Sequence, residues 1–300
     1  MDLRVELTSL KIQARSLGDR WDALHQPEHE RADWGLTLPS ESHRRLFDRA
    51  FPELAKNDWK VNAKVCATFF RRITDEDLDS VRRFIEAIRQ CVVIGDLTQG
   101  SMALGYRAKP NAAGNLEPTD LGQLMRAAKP YNEPPTKQHH KAGQILAHRL
   151  CEFVSSVPSF RYVDGFVPVP PSNPRKEFSL PRGFVYLLAK HTGKLDLREA
   201  VRKSRITREL KNLPHKQKVE ELMGSITVDA TGVAGKSIVV VDDLYQSGLT
   251  LNYVAGELRR AGAKEVFGLA AVKTMRNDDN LPKTAAPMQT DDNLDDEIRF

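Results

Sequence analysis

Four consecutive apolar residues, Ile238 to Val241, run straight into two adjacent acids, Asp242 and Asp243. With Gly235-Lys236 upstream, the run reads as a buried strand. A short loop carrying Ser247, Gly248 and Thr250 leads into a helix whose apolar positions Leu251, Val254, Ala255 and Leu258 share one face. Gly262 stops that helix, and Val266 to Val272 reads as the next strand. Strand, helix and strand in close succession commit this region to an α/β layer.

The upstream chain continues the alternation. Gly143 to Val154 predicts a helix with Ile145, Leu146, Leu150 and Phe153 on its buried face, and Tyr162 to Val169 predicts a strand. Arg182 to His191 predicts a helix closed by Gly193. Residues 105–136 are rich in Gly, Pro and Asn, with one short helix expected around Leu121 to Lys129. The pattern implies a mostly parallel sheet.

A strand end, a hydroxyl- and glycine-bearing loop and a helix N-terminus together make an anion site, because backbone N–H groups and the helix dipole converge there. Asp242 and Asp243 suit the vicinal hydroxyls of a ribose rather than a phosphate. The pair therefore suggests a ribose 5-phosphate cradle. The plainer alternative is a capping turn, with Ser247 or Thr250 serving only as a helix cap.

These thirteen residues, Ile238 to Thr250, resemble the phosphoribosyl pyrophosphate (PRPP) motif of type I phosphoribosyltransferases. Val167-Pro168-Val169-Pro170, then Arg182-Gly183-Phe184, is similar to the pattern of the competence-protein ComF branch. Lys203-x-Arg205-x-Thr207, Leu213, Gly224-Ser225-Ile226 and, more weakly, Leu116 to Tyr131 also fall at that branch's spacing. The likeness covers roughly residues 116–275. It implies a three-layer phosphoribosyltransferase-type fold, with PRPP or a nucleotide as ligand and Mg2+ as cofactor. It assigns Asp242 and Asp243 to the ribose diol and, mostly through substrate, to Mg2+. Gln246, Ser247, Gly248, Leu249 and Thr250 would hold the 5-phosphate; Pro171, Ser172, Arg175 and Lys176 would face pyrophosphate. Arg205 would serve catalysis. The acceptor is not legible.

The chain departs from that branch in places. Cys66, Cys91 and Cys151 are isolated, so the usual zinc ribbon is missing. His25 and His29 straddle Pro27, and His139-His140 are adjacent, so metal binding by histidine is not expected. Gln246 and Leu249 stand where small residues are common, and Leu210 where Gln is usual. A site that binds without efficient turnover, as a PRPP- or nucleotide-sensing regulator, therefore stays open.

Charge leaves a third function open. Beyond Asn277, seven acids face Lys283 and Arg299, so this tail reads as disordered. Its five net negative charges leave the remaining chain near +10 when the whole is +5. Much of that lies in residues 202–218, where Arg202, Lys203, Arg205, Arg208, Lys211, Lys216 and Lys218 face Glu209. The segment reads as a solvated loop, a mobile loop over pyrophosphate, or a nucleic-acid contact with salt-dependent binding. The last reading carries a role in DNA uptake or as an antiphage effector.

Composition is ordinary for a soluble globular protein, at 40% hydrophobic and 28% charged residues. No apolar stretch is long enough for a membrane span, and Met-Asp-Leu-Arg-Val-Glu has no secretory core, so a cytoplasmic protein is expected. Trp21, Trp34 and Trp59 all precede residue 60. Thr74-Asp75-Glu76-Asp77 reads as a capping box opening a helix to Gln90, with Leu78, Val81, Ile85 and Ile88 inward. Segments 41–56 and 60–72 also predict helices. The expected organisation is a mainly helical domain over 1–92, an α/β domain over 93–276 and the acidic tail over 277–300. The first domain and the basic segment are the places for a partner protein or nucleic acid, and homo-oligomerisation stays open.

Overall fold

A computed structural model describes residues 2–17, 23–26, 34–54, 59–62, 68–130, 134–173, 178–208, 210 and 213–275. Its first part runs α1 (Leu3–Thr8), β1 (Gln13–Arg15), β2 (Leu24–His25), β3 (Trp34–Leu38), α2 (Glu41–Ala50), β4 (Lys60–Asn62), β5 (Thr68–Ile73) and α3 (Asp75–Arg89). The middle follows as β6 (Val92–Gly95), β7 (Ser101–Ala103), β8 (Ala108–Pro110), β9 (Leu116–Pro118), α4 (Asp120–Ala128), α5 (Lys137–Ser156) and β10 (Gly165–Pro168). The rest comprises α6 (Leu180–Thr192), β11 (Leu195–Asp196), β12 (Val201–Lys203), α7 (His215–Leu222), β13 (Ile226–Val228), α8 (Ala230–Val233), β14 (Ser237–Tyr245), α9 (Leu249–Arg260) and β15 (Glu265–Lys273).

The large sheet has the order β1-β6-β7-β15-β14-β10-β11. From β7 to β11 every neighbour is parallel; β6 and β1 add an antiparallel edge. This is the mostly parallel α/β fold expected. Its central strands are apolar throughout because both faces are covered. Val239 and Val241 pack into one core with α5 and α6, while Ile238 and Val240 pack into the other with α9. The predicted stripe of Leu251, Val254, Ala255 and Leu258 is buried in that second core.

Two expectations are corrected. Segment 60–72, read as a helix, forms β4 and β5 of a four-stranded antiparallel sheet ordered β2-β3-β5-β4. The inward positions of β5 are Phe69, Arg71 and Ile73. Arg71 is 3% exposed, lies over the Phe47 and Trp59 rings, and donates from Nη1 to Leu54 O at 2.6 Å. An arginine on the buried face hides the period-two alternation that marks a strand. The N-terminal region, expected to be mainly helical, thus also carries a four-stranded sheet. The second correction concerns β14, read as ending at Val241. It runs through both acids to Tyr245, because β15 stays paired with it as far as Tyr245↔Lys273.

Other details differ less. Thr74 is the N-cap of α3, but its hydroxyl donates to the Asp77 carboxylate at 2.9 Å instead of capping an amide. The 105–136 stretch also holds the β8–β9 hairpin. Trp59 meets Phe47 and Phe69 edge-on, whereas Trp34 packs from the edge, with Arg82 over its ring. Trp21 and the 277–300 tail lie outside the described residues.

Candidate functional site

The site begins where one neighbour leaves β14. β10 pairs with it only as far as Pro168↔Val241, and Val169 N–H makes the last bond, to Val241 O at 2.8 Å. Proline at 168 and 170 removes further donors from that edge. Asp242 and Asp243 follow directly, at the carboxyl ends of parallel strands, where α/β sheets open their ligand crevices. A cavity of about 480 Å3 reaches them past Pro171, Ser172 and Phe178 to Pro181. A second of about 260 Å3 is lined by the same acids with Ser172, Lys203, Thr207, Leu210, Gln246 and Thr250. The two share Lys129, Val169, Pro170, Ser172 and both acids, so they form one crevice around the pair. A third, of about 520 Å3 around Asp196, Arg202 and Asp229, shares no residue with them.

The acids differ electrostatically. Asp243 is paired with Lys129, whose Nζ lies 3.0 Å from both carboxylate oxygens. Asp242 accepts the Asp243 N–H at 2.8 Å and, among the described residues, forms no ion pair of its own. Burial pushes the Asp242 carboxyl up to about 7, the Asp243 charge adds to this, and the Asp243 N–H and Lys129 oppose it. Across the smaller cavity, Lys203 donates to Ser225 Oγ at 3.0 Å. Burial, then the nearby Arg205 charge, pulls its ammonium down to about 8.

The loop after β14 turns on Gly248, in the left-handed region at φ 67°. A Cβ there would come within 2.2 Å of Tyr245 Oη, so glycine is required twice over. Asn252 N–H donates to Gly248 O at 2.9 Å, opening the α9 ladder, and Leu249 N–H reaches Ser247 Oγ at 3.4 Å. The amides of this first turn lack intrahelical carbonyls and suit an anion.

The predicted residues therefore separate. Asp242, Asp243, Gln246, Thr250, Pro171 and Ser172 line the crevice. Ser247, Gly248 and Leu249 shape the loop without lining it, and the Leu249 side chain is buried. Arg205 is not among the lining residues: its Nη1 bonds Glu221 Oε1 at 3.1 Å and its Nη2 the Glu221 carbonyl at 2.6 Å. Arg175 and Lys176 lie outside the described residues. Lys129 and Lys203 were missed. Lys129 closes the 116–131 segment and Lys203 opens the Lys-x-Arg-x-Thr run, but one charge among many gives no direction.

Fold and crevice together define an α/β protein with an anion-type loop beside an acid pair. Comparison with known proteins narrows this. The family model described as phosphoribosyl transferase domain matches residues 185–297, which include β14, the loop and α9. No curated protein matches. Two solved structures align at 14% identity and TM-score 0.34. They are an allosteric regulatory enzyme of purine biosynthesis and the glutamine PRPP amidotransferase from B. subtilis with ADP and GMP. The alignments cover 82% of this chain but 62% and 63% of those longer proteins, a likeness too distant to carry function.

Proposed function

We propose that the crevice binds PRPP with Mg2+ and transfers its phosphoribosyl group to a nitrogen acceptor. The observation that carries this reading is one cavity shared by Asp242, Asp243, Gln246 and Thr250. The Gln246–Thr250 loop holds the 5-phosphate, and the acid pair accepts hydrogen bonds from the ribose 2- and 3-hydroxyls. Pro171 and Ser172 face pyrophosphate, Arg175 and Lys176 are the contacts that the motif resemblance adds, and Lys203 neutralises it. Arg205 joins them only by exchanging Glu221 for a pyrophosphate oxygen. Two adjacent carboxylates are hard oxygen donors and fit Mg2+. No third acid, histidine or cysteine joins them among the described residues, so the two acids would hold the ion together with oxygens of the bound substrate. When bound, the ion would supply charge neutralisation for the pyrophosphate leaving group. The carbon–oxygen bond leads the cleavage, and the acceptor attacks from the opposite face; fixed charges and positioning do the catalysis.

The Lys129–Asp243 ion pair favours a second reading, a PRPP- or nucleotide-binding regulator. Any diol that engages Asp243 must compete with this cation. Purified protein with PRPP and Mg2+ separates the two. Pyrophosphate release that requires an added amine or base supports transfer, and binding without release supports the regulator. Salt-dependent retention on DNA, unaffected by PRPP, supports instead a nucleic-acid role. Asp242→Asn with Asp243→Asn is expected to abolish PRPP binding in a folded protein. Calorimetry showing unchanged affinity would remove the ribose assignment.

A further inference from the structure

Asp96, in the turn between β6 and β7, lies outside every feature the motif supplies. Its carboxylate is nevertheless the centre of a hydrogen-bond cluster beneath the anion loop. Oδ1 accepts from Thr98 N at 2.9 Å and Thr98 Oγ1 at 2.7 Å. Oδ2 accepts from Ser101 Oγ at 2.7 Å, Tyr245 Oη at 2.7 Å and Asn252 Nδ2 at 3.3 Å. Tyr245 and Asn252 are 1% and 0% exposed, so water cannot replace these bonds. Both then touch the loop. The Tyr245 phenol fills the space a Cβ of Gly248 would need, and Asn252 Nδ2 donates to Gly248 O at 2.9 Å. Asn252 Oδ1 accepts Leu97 N–H at 2.9 Å, which fastens the same turn to α9.

We infer that Asp96 is a positioning residue for the anion loop, acting through Tyr245 and Asn252 to hold Gly248 in its left-handed turn. A carboxylate is suited to this because it accepts several donors at once while donating nothing. The carboxylate is half-buried, and each of its oxygens accepts at least two donors. A ligand phosphate that needs several amides at fixed spacing benefits from a loop ordered before it arrives. The consequence for affinity rests on the phosphate assignment above; the ordering of the loop does not.

Tyr245→Phe is the gentlest probe, because the ring that supports Gly248 remains. In the ligand-free protein, hydrogen exchange of peptides covering residues 246–250 should quicken about ten-fold, the order expected for one lost bond to a charged group. Peptides from β10 and β15 should not change. Calorimetry should show PRPP with Mg2+ and ribose 5-phosphate binding roughly ten-fold more weakly, with pyrophosphate unchanged. If Tyr245 works through Asp96, Tyr245→Phe combined with Asp96→Asn should bind no worse than Asp96→Asn alone. Unchanged exchange in folded Tyr245→Phe overturns the inference, as does equal weakening of all three ligands. Wild-type protein that binds no PRPP removes the phosphoribosyl reading only, and the exchange result still decides the role of Asp96.

Discussion

Asp242 is the residue whose chemistry depends most on its surroundings. Its carboxyl is pushed up to about 7, first by burial and then by the Asp243 charge. Its ionised form is the stronger acceptor for a diol hydroxyl. PRPP affinity is therefore expected to fall as pH drops through about 7, with proton release on binding near neutrality. Calorimetry in two buffers of different ionisation enthalpy measures that release. Asp243→Asn removes the second cause, so the midpoint should move down while burial keeps it above the usual carboxylate range. A midpoint that rises would contradict the electrostatics. Stability carries the same sign. The fold favours protonated Asp242, a contribution complete below the unfolded value near 3.8 and lost as pH rises through about 7. Asp242→Asn should accordingly gain in melting temperature relative to wild type as pH rises from about 4 to about 8.

At the scale of elements, the basic run between β12 and α7 is clasped by one acid. Glu221 accepts from Arg205 Nη1, from the Arg208 amide at 3.0 Å and from Arg208 Nε at 3.0 Å. Those bonds, the amide first and then the guanidinium groups, hold its carboxyl down at about 2. Thr207 N–H meanwhile reaches Ser172 O at 3.3 Å, so the run also leans on the loop after β10. Glu221→Gln should loosen Arg208, while Arg205 keeps its bond to the Glu221 carbonyl, and limited trypsin digestion should then cut at Arg208 several-fold faster. Equal rates would mean that packing, not the acid, holds the segment. This clasp was not legible in the sequence, where Glu221 is one charge in a helix. By contrast, Ile238–Val241 and the α9 stripe were legible, because burial on both sheet faces gives an unbroken apolar run and burial of one helix face gives a helical period. The N-terminal sheet failed that test at Arg71. The site divided in the same way: the acids and the loop glycine follow from local pattern, whereas Lys129, Lys203 and Asp96 matter through contacts made across more than twenty residues of chain.

Across the whole molecule, the N-terminal segment is built into the large sheet's core. Leu3, Leu7, Leu10 and Ile12 are buried with the β14 and α9 residues, and β1 forms the sheet's edge beside β6. Gly256 on α9 admits Leu3 so closely that a Cβ would meet Leu3 Cδ1 at 2.3 Å. Glu6 pairs with Arg259 at 3.1 Å, and Arg259 in turn lies on the turn that carries Asp96 by donating to Leu97 O. A chain beginning at residue 93 would expose this face of α9 and strip β1 from β6, leaving β7 as its partner. It is expected to be insoluble or to bind an apolar dye, even though it retains the whole crevice. With residues 1–92 in place, Leu7→Ala should cost about 2–5 kcal/mol, the range for truncating a fully buried leucine. Because the lost packing sits in the second core, that loss should lower one cooperative denaturation midpoint. A biphasic transition, with β14 and α9 protected from exchange while residues 3–12 open, would show instead that the N-terminal segment is a detachable cover.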